Sequence, residues 1–367
     1  MIRLFSTNIP PGTAEAVADL IRSGWINRGE KATEFEEAFV KKFFYKYALS
    51  VTSCTSALRL AYTIAGAAPG SEVITTPYTM VATNTALLEA GFKPVFADIK
   101  YGTANIDPDD IGHRINDKTV GIAIVHYGGY PCDMDEIYNV ASEHGLWIVE
   151  DAAQALGAKY RGHPVGDKSF SCFSFQAIKH ITTADGGMFV TNRRQVYEEA
   201  KERIWFGIDK DKRVASPLGK FPEDITRLGF KYGMNDVAAV MGLEGLKAFD
   251  AAFARRRKIA GCYRQQLEGV DGLTLMEQER YKKSANWLFP VHVENRIAFA
   301  KAMRAEDIEV AVHNWRNDQY TLFGGKQDLP NTERVNDDII HIPLHAELTD
   351  EEVNLVVSTI KDLNWLR

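Results

Sequence analysis

The sequence contains no apolar run long enough to span a bilayer. Its first residues, MIRLFSTNIPPG, also lack the apolar core and the cleavage pattern of a signal peptide. Cysteine is scarce, and the four residues, Cys54, Cys132, Cys172 and Cys262, lie far apart without the paired spacing of a zinc site. We therefore expect a reduced, cytoplasmic protein with no membrane partner and no structural metal.

An excess of positive charge is missing as well. The chain has 43 lysine and arginine residues against 49 aspartate and glutamate residues, which gives a net charge of -6. Proteins that bind nucleic acid through many phosphates need the opposite balance, so we expect no nucleic-acid partner. A small anionic substrate is compatible with this charge if a local cluster of cations receives it.

What is present is a long chain in which short apolar runs alternate with helical patterns. Its 367 residues exceed what one core usually holds, which predicts two domains, residues 1–250 and 251–367. Several runs are apolar at consecutive positions, as in IAIV and WIV, which is typical of strands covered by helices on both faces. The β-type runs are Ala48–Ser53, Glu72–Thr76, Pro94–Ile99, Val120–Tyr127, Leu146–Asp151, Ser171–Phe175 and Gly187–Thr191. This alternation predicts an α/β domain with a mainly parallel sheet, whose ligands bind at the carboxyl ends of the strands.

The rest of the chain has a different pattern. A long helical stretch runs from about Asn235 to Gly269 and is followed by a smaller α+β region. Strands are predicted there near Trp287–Val293 and Glu309–Val312. Thr349, followed by three acidic residues, predicts the start of a final helix, Thr349–Leu363.

Three motifs place polar groups just after predicted strands. The strand in WIVEDAAQ ends in Glu150 and Asp151, and SFSCFSFQAIKHITTADGGMFVTN has Lys179 between a strand and a glycine pair. In SVTSCTSALRLAY, hydroxyl residues join a strand to a helix whose first N–H groups can bind an anion. Each motif alone also has an ordinary explanation: an acid that binds metal or ribose, a solvated surface lysine, and simple helix capping.

The order of these motifs is more informative than any one of them. Pyridoxal 5′-phosphate (PLP) requires donors for its phosphate, a carboxylate that keeps its pyridine nitrogen protonated, and a lysine amine for its aldehyde. A phosphate site after the first strand, an acid after a middle strand and a lysine after the next strand supply these three parts. The sequence therefore predicts PLP as the cofactor.

On these residues the chain resembles the DegT/DnrJ/EryC1/StrS family of sugar aminotransferases, which have the aspartate-aminotransferase fold (fold type I) of PLP enzymes. The resemblance begins at GWINRGEKATEFEEAF and ends near IHIPLHAELTDEE. Between them it includes PYTMVATNTALLEAGFKPVFADI, HYGGYPCDMDEI, VEDAAQALGAKYRGHPVGD, FSFQAIKHITTADGGMFVTN and GFKYGMNDVAAVMG. It implies a large domain with a mixed, mainly parallel seven-stranded sheet and a smaller C-terminal α+β domain.

The resemblance also implies roles for individual residues. Lys179 would be the Schiff-base lysine and proton carrier, Asp151 would pair with the pyridinium nitrogen, and Gln154 would contact the ring hydroxyl. The resemblance further implies a homodimer, with the active sites at the subunit interface. We therefore expect a homodimer here.

Phosphate binding is implied for Ser174 together with the backbone near Cys54 and Thr55. The family usually has glycine where this chain has Cys54, which alters the predicted phosphate site. Lys231 stands where the family commonly has an asparagine that reaches the partner subunit's phosphate, and a lysine can do the same as a point charge.

Further departures concern the cofactor ring and the substrate. Met80 stands where an aromatic residue usually stacks on the cofactor, and neighbouring Tyr78 is a possible substitute. Gly233 replaces a common arginine, and His180 follows the lysine where asparagine or threonine is common. An extra base and a locally hydrogen-bonded loop residue are both open interpretations of His180.

The predicted substrate residues are His313 and Arg316, in a segment where many members have a His-Tyr-x-Pro-type sequence, and the loop of Asn27, Arg28 and Gly29. Lys231 and His180 are further candidates. Solvated surface positions explain the two arginines equally well.

The expected reaction transfers an amino group from an amino acid, L-glutamate by the resemblance, to the keto-sugar of a nucleotide-sugar. Polysaccharide biosynthesis and antibiotic sugar synthesis both use this chemistry. Alternatives are a PLP-dependent sugar dehydratase, whose relatives have histidine in place of the lysine, and an aminotransferase for a small phosphorylated ketone. A non-enzymatic PLP-fold sensor or scaffold predicts loss of Lys179 or Asp151, and both are present.

Overall fold

Seven of the strands form one sheet, which is the centre of the fold. A computed structural model describes residues 1–209, 216–219 and 224–363. The strands are β1 (Tyr47–Val51), β2 (Glu72–Thr75), β3 (Lys93–Phe96), β4 (Thr119–Val125), β5 (Trp147–Asp151), β6 (Lys159–Tyr160), β7 (His163–Pro164), β8 (Phe170–Ser174), β9 (Gly187–Thr191), β10 (Leu273–Leu275), β11 (Lys282–Lys283), β12 (Phe289–Val293) and β13 (Ile339–Ile342). The helices are α1 (Thr13–Ser23), α2 (Glu30–Phe43), α3 (Cys54–Ala65), α4 (Val81–Glu89), α5 (Pro108–Arg114), α6 (Met134–Glu143), α7 (Arg194–Arg203), α8 (Asp236–Leu267), α9 (Arg296–Ala305), α10 (Pro330–Asp338) and α11 (Asp350–Asp362).

The large sheet has the strand order β1-β9-β8-β5-β4-β2-β3. Four of its six pairings are parallel, and the two antiparallel pairings both involve β9. Each of the seven predicted runs overlaps one of these strands, so the predicted mixed, mainly parallel sheet is confirmed. Every residue of β2, β8 and β9 is buried, which explains why apolar residues follow one another along these strands.

Two small antiparallel sheets, β10-β12-β13 and β11-β6-β7, complete the fold. The strand predicted at Trp287–Val293 is observed as β12. The strand predicted at Glu309–Val312 is wrong, because Ile308 and Ala311 form only isolated bridges. These two residues pair with different segments, the N-terminus and β13, so no continuous ladder forms between them.

The long helix α8 links the two parts of the chain. Its first half packs Leu246 and Phe249 into the core beside β8 and β9, and its second half packs Ile259 and Tyr263 into the core around β12. The expected division at residues 250 and 251 falls inside this helix and stays a prediction.

The predicted final helix is observed as α11. The Thr349 hydroxyl accepts from the backbone N–H of Glu352, whose carboxylate accepts from the backbone N–H of Thr349, which is a complete capping box. Among the helices in the described ranges, none is long and apolar enough to cross a membrane.

Candidate active site

Asp151 is the last residue of β5, the middle strand of the large sheet. Its buried carboxylate accepts hydrogen bonds from the Thr83 hydroxyl (2.6 Å, Oγ1 to Oδ2) and from the Ala153 backbone N–H (3.0 Å). Burial raises the pKa of Asp151, and these two bonds oppose the shift only in part. A carboxylate that has lost its water in this way gains strongly from a cationic partner.

Lys179 lies on the turn after β8, and its side chain reaches toward the same site. The Nζ atom is 3.4 Å from the centroid of the Trp287 ring. Burial lowers the pKa of Lys179 to about 8, against the attraction of the Asp151 carboxylate, which favours the charged amine. Near neutral pH, the neutral fraction of this amine is therefore much larger than for a surface lysine, as a nucleophile or base requires.

The N-terminus of α3 also borders Asp151, because the Sγ atom of Cys54 lies 4.0 Å from Asp151 Oδ1. Ser53 caps this helix by accepting from the Ser56 N–H at 3.0 Å, while the first N–H groups of a helix have no intrahelical partner. Gly187 of β9 lies so close to this turn that a Cβ atom would come within 2.6 Å of the Cys54 nitrogen. The N–H groups of Cys54 and the next residue, Thr55, therefore form a candidate anion site beside the carboxylate, and their role in binding phosphate stays a prediction.

Ser174 and Gln154 lie near this anion site and near Asp151, respectively. Ser174 ends β8 opposite Gly187, and its Oγ accepts from the Gln176 N–H at 3.3 Å. Gln154 is buried, and its Oε1 accepts from the Gly128 N–H at 2.7 Å. This bond leaves the amide N–H groups of Gln154 as the donors that it can offer to a ligand.

These groups fit the predicted cofactor. Helix N–H donors for a phosphate, a buried carboxylate for a cationic nitrogen and a lysine amine of lowered pKa converge at the carboxyl ends of β1, β5 and β8. Convergence at the carboxyl ends is what a mainly parallel sheet dictates. The assignment of each residue to one part of PLP stays a prediction.

Two positions that depart from the family pattern lie at the surface, and a third is filled by another side chain. Met80 precedes α4 and is 55% exposed, and Lys231 is exposed and bridges Trp205 through its backbone. At Gly233, a Cβ atom would lie 2.7 Å from the Cδ atom of Arg28. The Arg28 side chain therefore occupies the space that a larger residue at position 233 would need.

Both arginines predicted to bind substrate are engaged in internal ion pairs. The Arg28 guanidinium lies 2.7 Å from Glu36 Oε1 and 2.9 Å from Ser50 Oγ. Arg316 is buried and donates to both carboxylate oxygens of Asp318, at 2.8 and 2.6 Å. Binding of a diphosphate would require that these bonds be exchanged, so the substrate role of both arginines stays a prediction.

Asn27 and Gly29 lie in the exposed loop before α2. The Asp236 carboxylate accepts from the backbone N–H groups of Gly29 (2.8 Å), Lys31 (3.2 Å) and Ala32 (3.0 Å). The Asn27 carbonyl in turn accepts from the Asp236 N–H at 3.3 Å. Asp236 thus supplies the cap that Gly29, which has no side chain, cannot supply to α2.

The two candidate histidines have different surroundings. His180 is buried, and a ring N–H donates to the Ala285 carbonyl at 2.9 Å. Burial lowers the pKa of His180 to about 3. His313 packs edge-on against Trp287 with 4.8 Å between ring centroids, and burial, with repulsion from His341 and Lys179, lowers its pKa to about 3. Of the two histidines, His313 is therefore the one that contacts the Trp287 ring, which the Lys179 amine also contacts.

Two side chains of the site were missed by reasoning from the sequence. Thr83 lies in the first turn of α4, and nothing local indicates that its hydroxyl meets Asp151. Trp287 is fully buried, and its only sequence signal was its place at the edge of a predicted strand. Both contacts join residues far apart in the chain, so only the folded arrangement reveals them.

Comparison with known proteins is consistent with this geometry. The model of the DegT/DnrJ/EryC1/StrS aminotransferase family matches residues 9–361. A curated relative from Shewanella sediminis, UDP-4-amino-4-deoxy-L-arabinose–oxoglutarate aminotransferase, is 32% identical over 365 residues, covering 95% of this chain and 94% of the relative.

Solved structures have the same fold over nearly the whole chain. The sugar aminotransferase CalS13 from Micromonospora echinospora superposes with a TM-score of 0.94 at 32% identity, covering 98% of this chain and 99% of the other. Spr1654 from Streptococcus pneumoniae, in its PLP form, superposes with a TM-score of 0.91 at 27% identity, covering 98% and 97% of the two chains.

Proposed function

Because the chain belongs to the DegT/DnrJ/EryC1/StrS aminotransferase family, we propose that it transfers an amino group from L-glutamate to the keto group of a nucleotide-linked sugar. The observation that carries the proposal is that Lys179 and the buried Asp151 carboxylate lie in one site, beside the start of α3. The presence of a lysine rather than a histidine at position 179 favours amino transfer over sugar dehydration.

PLP, when bound, supplies an aldehyde that exchanges between amines and a protonated ring that withdraws electrons. Lys179 would hold it covalently, and Asp151 would hold its ring nitrogen in the protonated form. The α3 turn at Cys54 and Thr55, with Ser174, would bind its phosphate. The Thr83 hydroxyl keeps the Asp151 carboxylate oriented, at 2.6 Å.

Lys179 is also the group that we propose to move the proton. Because its pKa is about 8, the neutral Lys179 amine can accept a proton from the substrate carbon. The ammonium group formed in this way can then donate the proton back. A positioned base of this kind typically contributes about 10²–10⁴-fold to the rate. The Lys179 Nζ atom lies against the face of the buried Trp287 ring, which shields that side of the amine from water.

The Shewanella relative supports the choice of substrates, since its name pairs a UDP-sugar amine with oxoglutarate. We assign the sugar end to the region of His313 and Trp287, next to the lysine. Exposed Lys231 and the loop of Asn27 and Gly29 are the proposed contacts of the nucleotide.

We further propose that the enzyme is a cytoplasmic homodimer with each active site completed by the partner. Large apolar side chains support an interface, since Trp25 is 81% and Met80 55% exposed beside the candidate site regions. Four free thiols agree with a reducing compartment. Mixing of inactive Lys179→Ala and Lys231→Ala subunits should restore part of the activity if Lys231 serves the partner's site, and no recovery would contradict a shared site.

The first test is the absorption spectrum of the purified protein with PLP, before and after addition of L-glutamate. An absorption band near the edge of the visible range that moves to shorter wavelength would mark transfer of the amino group to the cofactor. A panel of keto-sugar nucleotides and phosphorylated ketones should then reverse the change, and only the nucleotide-linked ketones should do so efficiently. A band that ignores glutamate would contradict the donor assignment.

The matching variant is Lys179→Ala, which should retain bound PLP without a covalent bond and should lose turnover. Lys159→Ala, at an exposed lysine, is the control and should behave as wild type. Full activity of Lys179→Ala would overturn the proposed function.

A further inference from the structure

We propose that Trp287 is a positioning residue whose indole face holds the Lys179 amine whenever that amine is not bonded to the cofactor. The inference rests on the proposed function, because amino transfer requires Lys179 to leave and regain its covalent bond in every cycle. Between these events a flexible four-carbon side chain must keep its nitrogen beside the reacting carbon.

The contact between the two side chains is close and otherwise unassisted. Lys179 Nζ lies 3.4 Å from the Trp287 ring centroid, well within the range in which an aromatic face attracts a cation. Within the described parts of the chain, no oxygen accepts a hydrogen bond from Nζ, so the ring face is its nearest stabilising partner. Tryptophan is the best of the aromatic residues for this purpose.

The same indole also holds the backbone that carries the lysine. Its Nε1–H donates to the carbonyl of Ile178, the residue before Lys179, at 3.1 Å. One side chain thus binds both ends of the lysine segment, the backbone through its N–H and the amine through its ring. A residue that merely filled space would not combine these two contacts.

Trp287 is itself fixed from behind. Its backbone N–H donates to the Gly128 carbonyl at 3.0 Å, and the Gly128 N–H donates to Gln154 Oε1 at 2.7 Å. The ring stacks on Phe5 with 5.7 Å between centroids and meets His313 edge-on. The side chain is fully buried, so the ring cannot turn away from the amine without moving its neighbours.

The charged and titratable groups around Lys179 come from several elements. Asp151 of β5 attracts the ammonium, and Arg256 of α8 repels it. Cys54 of α3, His180 and His313 also face this position. Arg256 has no acidic partner among the described contacts and donates instead to backbone carbonyls, including that of Trp287 at 3.4 Å. Against this repulsion and the loss of water, the ring face favours the charged amine.

The test uses the cofactor-free enzyme labelled with [ε-13C]lysine, and Lys179→Arg identifies the resonance by its absence. In wild type, the Cε–H signals of Lys179 should lie upfield of those of exposed lysines because of the indole ring current. Trp287→Met, which fills the site without a ring, should abolish the displacement and lower the pKa of Lys179 by about half a unit to one unit. Trp287→Phe keeps a ring face and should retain most of both effects.

Phe323→Leu is the matched control, because it also removes an aromatic ring, but one that packs edge-on against Phe96 rather than against Trp287, and it should leave the pKa of Lys179 unchanged. Lysine signals at the position of exposed residues in wild type, or an unchanged or raised pKa in Trp287→Met, would overturn the proposal. With PLP and glutamate, Trp287→Met should lower kcat by about tenfold or more with little change in KM. Failure of the proposed function would instead appear as a wild-type enzyme that shows the ring-current shift but no spectral response to glutamate.

Discussion

At the scale of single residues, the site depends on polar groups that have lost their water. Asp151 is buried and Lys179 is half-buried, and the loss of surrounding water shifts the pKa of each toward its uncharged form. Groups shifted in this way, from opposite sides and in one site, are typical of catalytic centres. Their neighbours therefore control both the charge and the orientation that the reaction needs.

Thr83→Val tests the closest of these neighbours. The variant removes the 2.6 Å hydrogen bond to Asp151 and leaves a buried carboxylate oxygen without that donor, which costs about 1–3 kcal/mol. The pKa of Asp151 should rise further, and PLP affinity should fall by about tenfold or more. Titration of the cofactor absorption band measures the affinity.

Thr85→Val is the control on the same helix, because, among the residues that the structure describes, the Thr85 hydroxyl donates only to the carbonyls of Val81 and Ala82. It should bind PLP as wild type does. Equal affinities of the two variants would show that the Thr83 hydroxyl does not support Asp151.

At the residue scale, the sequence indicates where a local motif places a side chain, but it does not indicate which distant residues that side chain will contact. The positions of Asp151 and Lys179 relative to their strands follow from the sequence, because each lies within a few residues of a strand end. Arg28 is a predicted substrate residue, and its pairing with Glu36 and Ser50 depends on how α2 packs against β1. No local pattern carries that information.

At the scale of elements, β9 packs closely against the start of α3, where the candidate anion site lies. A Cβ atom at Gly187 would lie 2.5 Å from the Ser53 carbonyl carbon and 2.6 Å from the Cys54 nitrogen, both of them backbone atoms. Backbone cannot move aside as a flexible side chain can. A glycine is needed there because of this approach between two elements.

Gly187→Ala should therefore force β9 and α3 apart, destabilise the protein by about 1–3 kcal/mol and weaken PLP binding. Gly261→Ala is the comparison, since it lies inside α8 with nothing within 4 Å of the added methyl group. That variant should be neutral or stabilised by up to about 1 kcal/mol. Urea denaturation of both variants decides the point, and a fully stable Gly187→Ala would refute the contact.

A second element-scale contact is the cap that Asp236 of α8 gives to α2. Asp236→Ala removes an acceptor of three backbone N–H groups and should cost about 1–2 kcal/mol of stability. Asp250→Ala, further along the same helix, removes an exposed ion pair with Lys42 and should cost well under about 1 kcal/mol. Similar melting temperatures for the two variants would argue against the cap.

At the scale of the whole molecule, buried histidines make the fold sensitive to acid. Burial lowers the pKa of His180 and of His313 to about 3 and that of His341 to about 4. The unfolded chain takes up protons at these residues below about pH 6.5, while the folded chain does not until a much lower pH. Each therefore lowers the free energy of unfolding by about 1.4 kcal/mol per pH unit as the pH falls from about 6.5 toward the folded value.

His180→Gln isolates one of these contributions, because glutamine can still donate to the Ala285 carbonyl but takes up no proton. Between neutral pH and about pH 5, the variant should lose about 2 kcal/mol less stability than wild type. Urea denaturation at the two pH values measures the difference. His144→Gln, at an exposed histidine, should lose stability in parallel with wild type, and a parallel loss in His180→Gln would contradict the prediction.

The sequence by itself determined the sheet, the family resemblance and the three groups expected to meet PLP. Apolar runs, glycine pairs and helix starts are local, and the carboxyl ends of parallel strands necessarily meet at one edge. The tertiary structure decided the rest: the single bridges at Ile308 and Ala311, the internal pairing of Arg316, and the contact of Trp287 with Lys179. Each of these joins segments far apart in the chain, where packing and not local preference selects the partner.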